Sequence, residues 1–303
     1  MKSLKLVCVI AVLVSLVSCS SVIKSSRVTA LQENYCAPNI AYQDNTTVEQ
    51  RSFKDALVAE KLSEHDYNLA AHLGLVPQLS NFLNSKDPLE KIEAKQQIII
   101  STQLFQTEID ALAAELDCNG ERYDQLARVL DSKNNTNNTQ LTVASIAIGA
   151  AVTLSTALIT NDNTNKGLNI AGGVVGTGLG FLLLNPKGKK IELRIYRSLL
   201  RNVWMENNGD IAFPPALWRV MNDRSFSNEG KLSLIQTLKN RWLLFAFDEE
   251  VDKKEEELYF GRGGFFKSDD IHLMSDMNNE LQASVRTVQQ DLRSLIYSVS
   301  MWK

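Results

Sequence analysis

The chain has 303 residues, 44% of them hydrophobic and 22% charged, enough to bury the core of one large or two small domains. Its 32 Lys and Arg are interspersed with 35 Asp and Glu, for a formal charge of −3, and the absence of a basic block argues against nucleic acid as a partner. Three histidines and four cysteines without CxxC or Cys/His spacing, and no GxSxG, give no catalytic residue, metal ligand set or cofactor to expect.

The chain opens with MKSLKLVCVIAVLVSLVS, in which Lys2 and Lys5 precede an apolar run that ends in small residues. Residues 1–18 therefore read as a secretory signal. The following stretch, Leu16-Val17-Ser18-Cys19, resembles the lipobox of bacterial lipoproteins. That resemblance implies cleavage before Cys19 and a diacylglycerol on its thiol. With Ser20 rather than aspartate next, it also implies an outer-membrane location, facing the periplasm or the cell surface. Each buried acyl methylene contributes roughly 0.8 kcal/mol, so two or three chains make a near-permanent anchor in membrane lipid.

Residues 19–46, with Pro38 and Asp44-Asn45, read as a polar, lipidated tether. Cys36 and Cys118 remain as an even pair in an oxidising compartment, a candidate disulfide, the alternative being two buried thiols. The N-terminal helical region is expected over 47–139. Thr47 and Gln50 form a capping-box pattern, and Phe53, Leu57, Leu62, Leu69 and Leu73 follow at helical spacing until Gly74 and Pro77 interrupt. A short helix is expected over 76–83. Asp87-Pro88 opens a long helix to about Ser132, with Cys118-Asn119-Gly120 as a bend or break and KNNTNNT (133–139) as a linker. His65 and His72, seven residues apart, are too distant for one metal and read as surface histidines.

Residues 140–190 form the least polar region, and 140–160 contain no charged residue. Two apolar spans, 141–160 and 167–184, are joined by NDNTNK and closed by NPKGKK, the pattern of a helical hairpin. Each span is long enough for a hydrocarbon core about 30 Å thick. Gly172, Gly176 and Gly180 are four apart, and Ser145, Gly149, Thr153 and Ala157 make a matching small-residue line in the first span. This pattern resembles the glycine zippers of small membrane and pore-lining helices. It implies close packing of the hairpin 141–184 on itself, or on its copies, in membrane lipid. In the alternative, small residues permit close crossing inside a soluble bundle.

Residues 191–303 are expected to form a C-terminal helical region. Ile191, Ile195, Leu199 and Val203 fall on one helix, and Pro214-Pro215 leads into a short one with Trp218. Another over 228–247 presents Leu232, Ile235, Leu238, Trp242 and Phe245 to the core. EEVDKKEEE (249–257) reads as a solvated helix end or loop, and Gly261-Arg262-Gly263-Gly264 as a loop. The last helix carries Met274, Met277, Leu281, Val285, Val288, Leu292, Leu295 and Val299, a seam for docking another helix.

The expected fold is all-α: an elongated helical bundle with coiled-coil-like long helices and a central apolar α-hairpin. The function read from it is a lipid-anchored, non-enzymatic envelope protein. Its hairpin inserts in a membrane and self-associates, or meets other envelope proteins, within an envelope or secretion assembly. Long helices around a central apolar hairpin are also similar in plan to the α-helical pore-forming toxins. That likeness implies membrane permeabilisation as an alternative, although the lipid anchor and the Trp/Pro-rich segment depart from it. A third reading is a tethered soluble binding protein with the hairpin in its core.

Overall fold

The computed structural model describes residues 22–32, 35–158 and 188–302, and the chain there is mostly helical. Short helices α1 (Ser26–Gln32), α2 (Val48–Ser52), α3 (Ala56–Lys61), α4 (Glu64–His72) and α5 (Val76–Asn84) precede the long α6 (Pro88–Leu158). Strand β1 (Ile191–Arg194), α7 (Leu199–Trp204), α8 (Pro215–Asn222) and α9 (Leu234–Ala246) follow. Then come α10 (Lys253–Glu255), which runs into a π-helical turn Glu256–Phe260, strand β2 (Gly263–Phe266) and α11 (Ser268–Ser300). The chain divides into two compact units. Among the described residues one comprises 22–32, 125–158, 188–193 and 265–271, and the other 35–124, 194–264 and 272–302.

The capping-box pattern at Thr47 and Gln50 forms as the sequence predicts, with both reciprocal hydrogen bonds. The single helix expected from there to Leu73 is instead three. The Asp55 carboxylate accepts from Val58 N (3.0 Å) and the Ser63 hydroxyl from Asp66 N (3.0 Å), so each side chain starts a new helix. Gly74, at φ +64°, ends α4 in a conformation that glycine adopts without strain.

The long helix departs from expectation in the other direction. Its 71 residues run through both the expected break at 118–120 and the expected linker at 133–139. No residue of KNNTNNT is glycine or proline, so its polarity weakens a helix without ending it. Thr136 turns its hydroxyl onto the carbonyl of Ser132 (2.8 Å) instead of competing for an amide. At Gly120 an added Cβ would meet the Asn279 side chain at 2.9 Å, and the Gly120 carbonyl accepts from Ser275 Oγ (3.2 Å). The glycine is a close crossing point, not a break.

In the larger unit α6 and α11 pack antiparallel. Gln282 donates to the Ala113 carbonyl (3.1 Å) and Gln289 to Asp110 (2.6 Å). Met274, Met277, Leu281, Val285, Val288, Leu292 and Leu295 are buried along this contact, and Val299 is half-buried. The stripe on α11 thus meets a helix of its own chain, with Ile109, Leu112 and Leu116 among the buried residues of α6. A second cluster forms around Trp204, whose ring stacks on Phe260 at 4.3 Å, with Trp242 and Phe247 against the same phenyl. Phe245, expected to face the core, is 78% exposed. The chain leaves helical geometry at Phe247, and that residue fills the place instead.

In the smaller unit Val28, Leu126, Leu130, Ile191, Leu193 and Phe266 are buried. Val22 bridges to Lys190 in parallel, and Lys189 N donates to the Asn134 side chain (2.8 Å).

The all-α expectation is corrected by the pairing of β1 with β2 in a two-stranded sheet. Ile191 and Leu193 point inward in strand alternation, and their neighbours are more exposed. The helix expected from Ile191 begins only at Leu199, where Ser198 caps it by accepting from Arg201 N (3.1 Å). The second strand includes Gly263 and Gly264 from the expected loop.

Candidate functional site

Cys36 and Cys118 form a disulfide across 82 positions of sequence, fastening the segment that follows α1 to the middle of α6. Beyond it, residues expected in the tether make specific contacts. Asp44 accepts from Arg219 (2.8 Å) and Arg51 (3.2 Å), and its carboxyl is held below the usual range against the opposing effect of burial. The donors that lower it are Thr46 and Arg219.

Nearby, Arg197 grips Glu115 in a bidentate pair (2.6 and 2.9 Å) and donates to the Ala212 carbonyl (2.7 Å). The Glu115 side chain is only 2% exposed. The Tyr42 hydroxyl is buried without a hydrogen-bond partner, and burial followed by the Glu115 charge pushes its pKa up to about 12. Glu108 is half-buried, and desolvation plus the nearby Asp44 charge push its carboxyl up to about 7, against the pull of Arg219. This network spans sequence separations of 82 and 175 residues, with no local motif to reveal it.

His65 pairs with Asp291 (2.9 Å) and His72 with Asp223 (2.7 Å), and both imidazoles lie against Phe226. Each histidine is held by a carboxylate from a distant part of the chain. Among the described residues no group of three His, Cys, Asp or Glu side chains is placed to hold a metal ion.

The small-residue line of the first apolar span is partly in view. Ser145 donates its hydroxyl to the Thr142 carbonyl (2.8 Å) and Thr153 to the Gly149 carbonyl (2.9 Å), so both hydroxyls satisfy themselves within the helix. A Cβ added at Gly149 would meet nothing within 4 Å. Val143 is 59% and Ile146 66% exposed. This part of α6 therefore presents apolar side chains and an open glycine to the outside. Ala157 lies in the helix, but its side chain falls outside the described residues, as do Cys19, Gly172, Gly176 and Gly180. Among the described residues no helix is long and apolar enough to cross a membrane.

No family model, curated protein or solved structure matches this chain.

Proposed function

We propose that the protein is an exported, non-enzymatic envelope component, anchored through acylated Cys19 at the outer membrane. In this reading the apolar stretch 141–184 engages a bilayer and packs on itself or its copies along the small-residue lines. The observation that carries it is the open apolar face of α6, where Val143 and Ile146 stand exposed beside Gly149. Apolar side chains grouped in this way lower their free energy by leaving water, and small residues let a second helix come close. The Cys36–Cys118 disulfide supports export, because such bonds persist where the surroundings are oxidising. The coiled-coil seam of α11 would then serve mainly to hold the body together.

The test uses a form beginning at Ser20, so that the acyl anchor does not mask the result. Mixed with protein-free liposomes, it is expected to protect residues 141–184 from protease without releasing an entrapped dye. Protection together with release would move the reading to membrane permeabilisation. If the protein does not bind and the segment already resists protease in solution, the membrane role is lost and the tethered binding protein takes its place.

A further inference from the structure

Two adjoining cavities lie in the larger unit, beside the C-terminal turns of α11. The first, about 260 Å³, lies between α5, α6 and α11, with Phe82 and Trp302 stacked at 6.4 Å along its wall. The second, about 450 Å³, begins at Ile296 and Ser300, which line both, and extends to Gln106 and Leu292. Small-molecule sites commonly occupy roughly 300–1,000 Å³, and the second cavity falls in that range by itself.

The groove's polar chemistry is uneven. Thr102 donates its hydroxyl to the carbonyls of Ile98 and Ile99 (2.9 and 3.0 Å), and Ser300 donates to the Tyr297 carbonyl (2.7 Å). The Gln289 amide is taken by Asp110 (2.6 Å). These groups are spent within the protein. The charged side chains that line the groove are Lys95 and Arg293, both cations. A further ammonium, that of Lys91, lies 5.9 Å from the Phe82 ring centroid, at the Lys95 end. Among the described residues no carboxylate lines either cavity.

We propose that this groove binds a single-chain anionic amphiphile, a free fatty-acid carboxylate. Its head lies at Lys91 and Lys95, and its tail runs past Ile99 and Ile296 toward Leu292. Charge complementarity sets the sign of the head, since an apolar wall with ammonium groups at one end stabilises an anion and disfavours a cation. Lys95 and Gln106 are eleven residues apart on α6, about 16 Å of helix, the reach of a medium-length acyl tail.

The experiment titrates dodecanoate, labelled with carbon-13 at the carboxyl, into the full-length chain held in amphipol without detergent. Saturation at one ligand per chain is expected. Lys95→Glu, at an exposed position, should weaken binding about three- to tenfold, and Arg293→Glu by about twofold or less. Undecyltrimethylammonium, with the same eleven-carbon tail and the opposite charge, should bind about tenfold more weakly than dodecanoate. Ile296→Trp should block the tail path, and circular dichroism reports whether that variant keeps its fold. The proposal is overturned by unsaturable uptake, by equal binding of the cation and the anion, or by affinity unchanged in Lys95→Glu. Binding of an acidic amphipathic peptide in place of dodecanoate would likewise overturn it.

Discussion

Replacing Arg197 with methionine tests how much the buried polar network contributes to the larger unit. The guanidinium neutralises a carboxylate whose side chain is 2% exposed and also satisfies the Ala212 carbonyl. Methionine keeps most of the side-chain length and removes both roles, leaving Glu115 charged and unpaired out of water. Breaking one side of a buried pair costs about 3–5 kcal/mol, and the short bidentate contact places this one within that range. At roughly 2 °C per kcal/mol for a chain of this size, the thermal midpoint should fall by about 6–10 °C. The companion variant, Glu115→Leu with Arg197→Met, removes both charges together. It should return to within about 1 kcal/mol of the parent, because an apolar pair avoids the desolvation cost. Urea unfolding followed by circular dichroism measures both, with the slope checked for constancy. A loss below about 1 kcal/mol in Arg197→Met would show that Glu115 is not desolvated as described. An equal loss in the double variant would assign the effect to packing instead of charge.

Opening the Cys36–Cys118 bridge by Cys→Ser at both positions removes a cross-link over 82 positions, worth roughly 4–5 kcal/mol in the chain-entropy account. The urea midpoint should therefore fall for the variant, and fall equally for the parent in dithiothreitol; an unchanged midpoint would show that the link does not restrain the unfolded chain. Glu108→Gln has a pH signature. The native carboxyl titrates at about 7 instead of 4.5, so its contribution is fully present below pH 4.5 and is lost as pH rises through 7. After allowance for partial solvent access, the glutamine variant should be more stable than the parent by about 1–2 kcal/mol at pH 8 and equal to it near pH 4. A difference that is the same at both pH values would remove Glu108 as the titrating group.

Much of the fold is written locally. Thr47 with Gln50, Asp87 with Pro88, and the threes and fours of α11 each act within a few residues, where capping and periodicity operate. The cysteine pair follows from the same kind of reading, through compartment and parity. The misreadings have two physical causes, one local and one in which the deciding neighbour lies far along the chain. A tract of Lys, Asn and Thr reads as a linker by composition, yet it continues the helix because nothing in it breaks the amide ladder. Ile191 and Ile195 suggest helical spacing, but pairing with β2, more than seventy residues later, makes that segment a strand.

The candidate sites divide in the same way. The apolar tract, its small-residue lines, the lipobox-like start and the stripe on α11 are legible before folding, because each is a pattern of neighbouring residues on one element. Packing is what fills the stripe with α6 of the same chain and leaves Val143 and Ile146 exposed. It alone brought Glu115 to Arg197 and Asp44 to Arg219, and set Lys95 and Arg293 beside two cavities that share Ile296 and Ser300. Burial, charge pairing and cavity shape depend on which distant surfaces meet, and that is fixed only when the chain has packed.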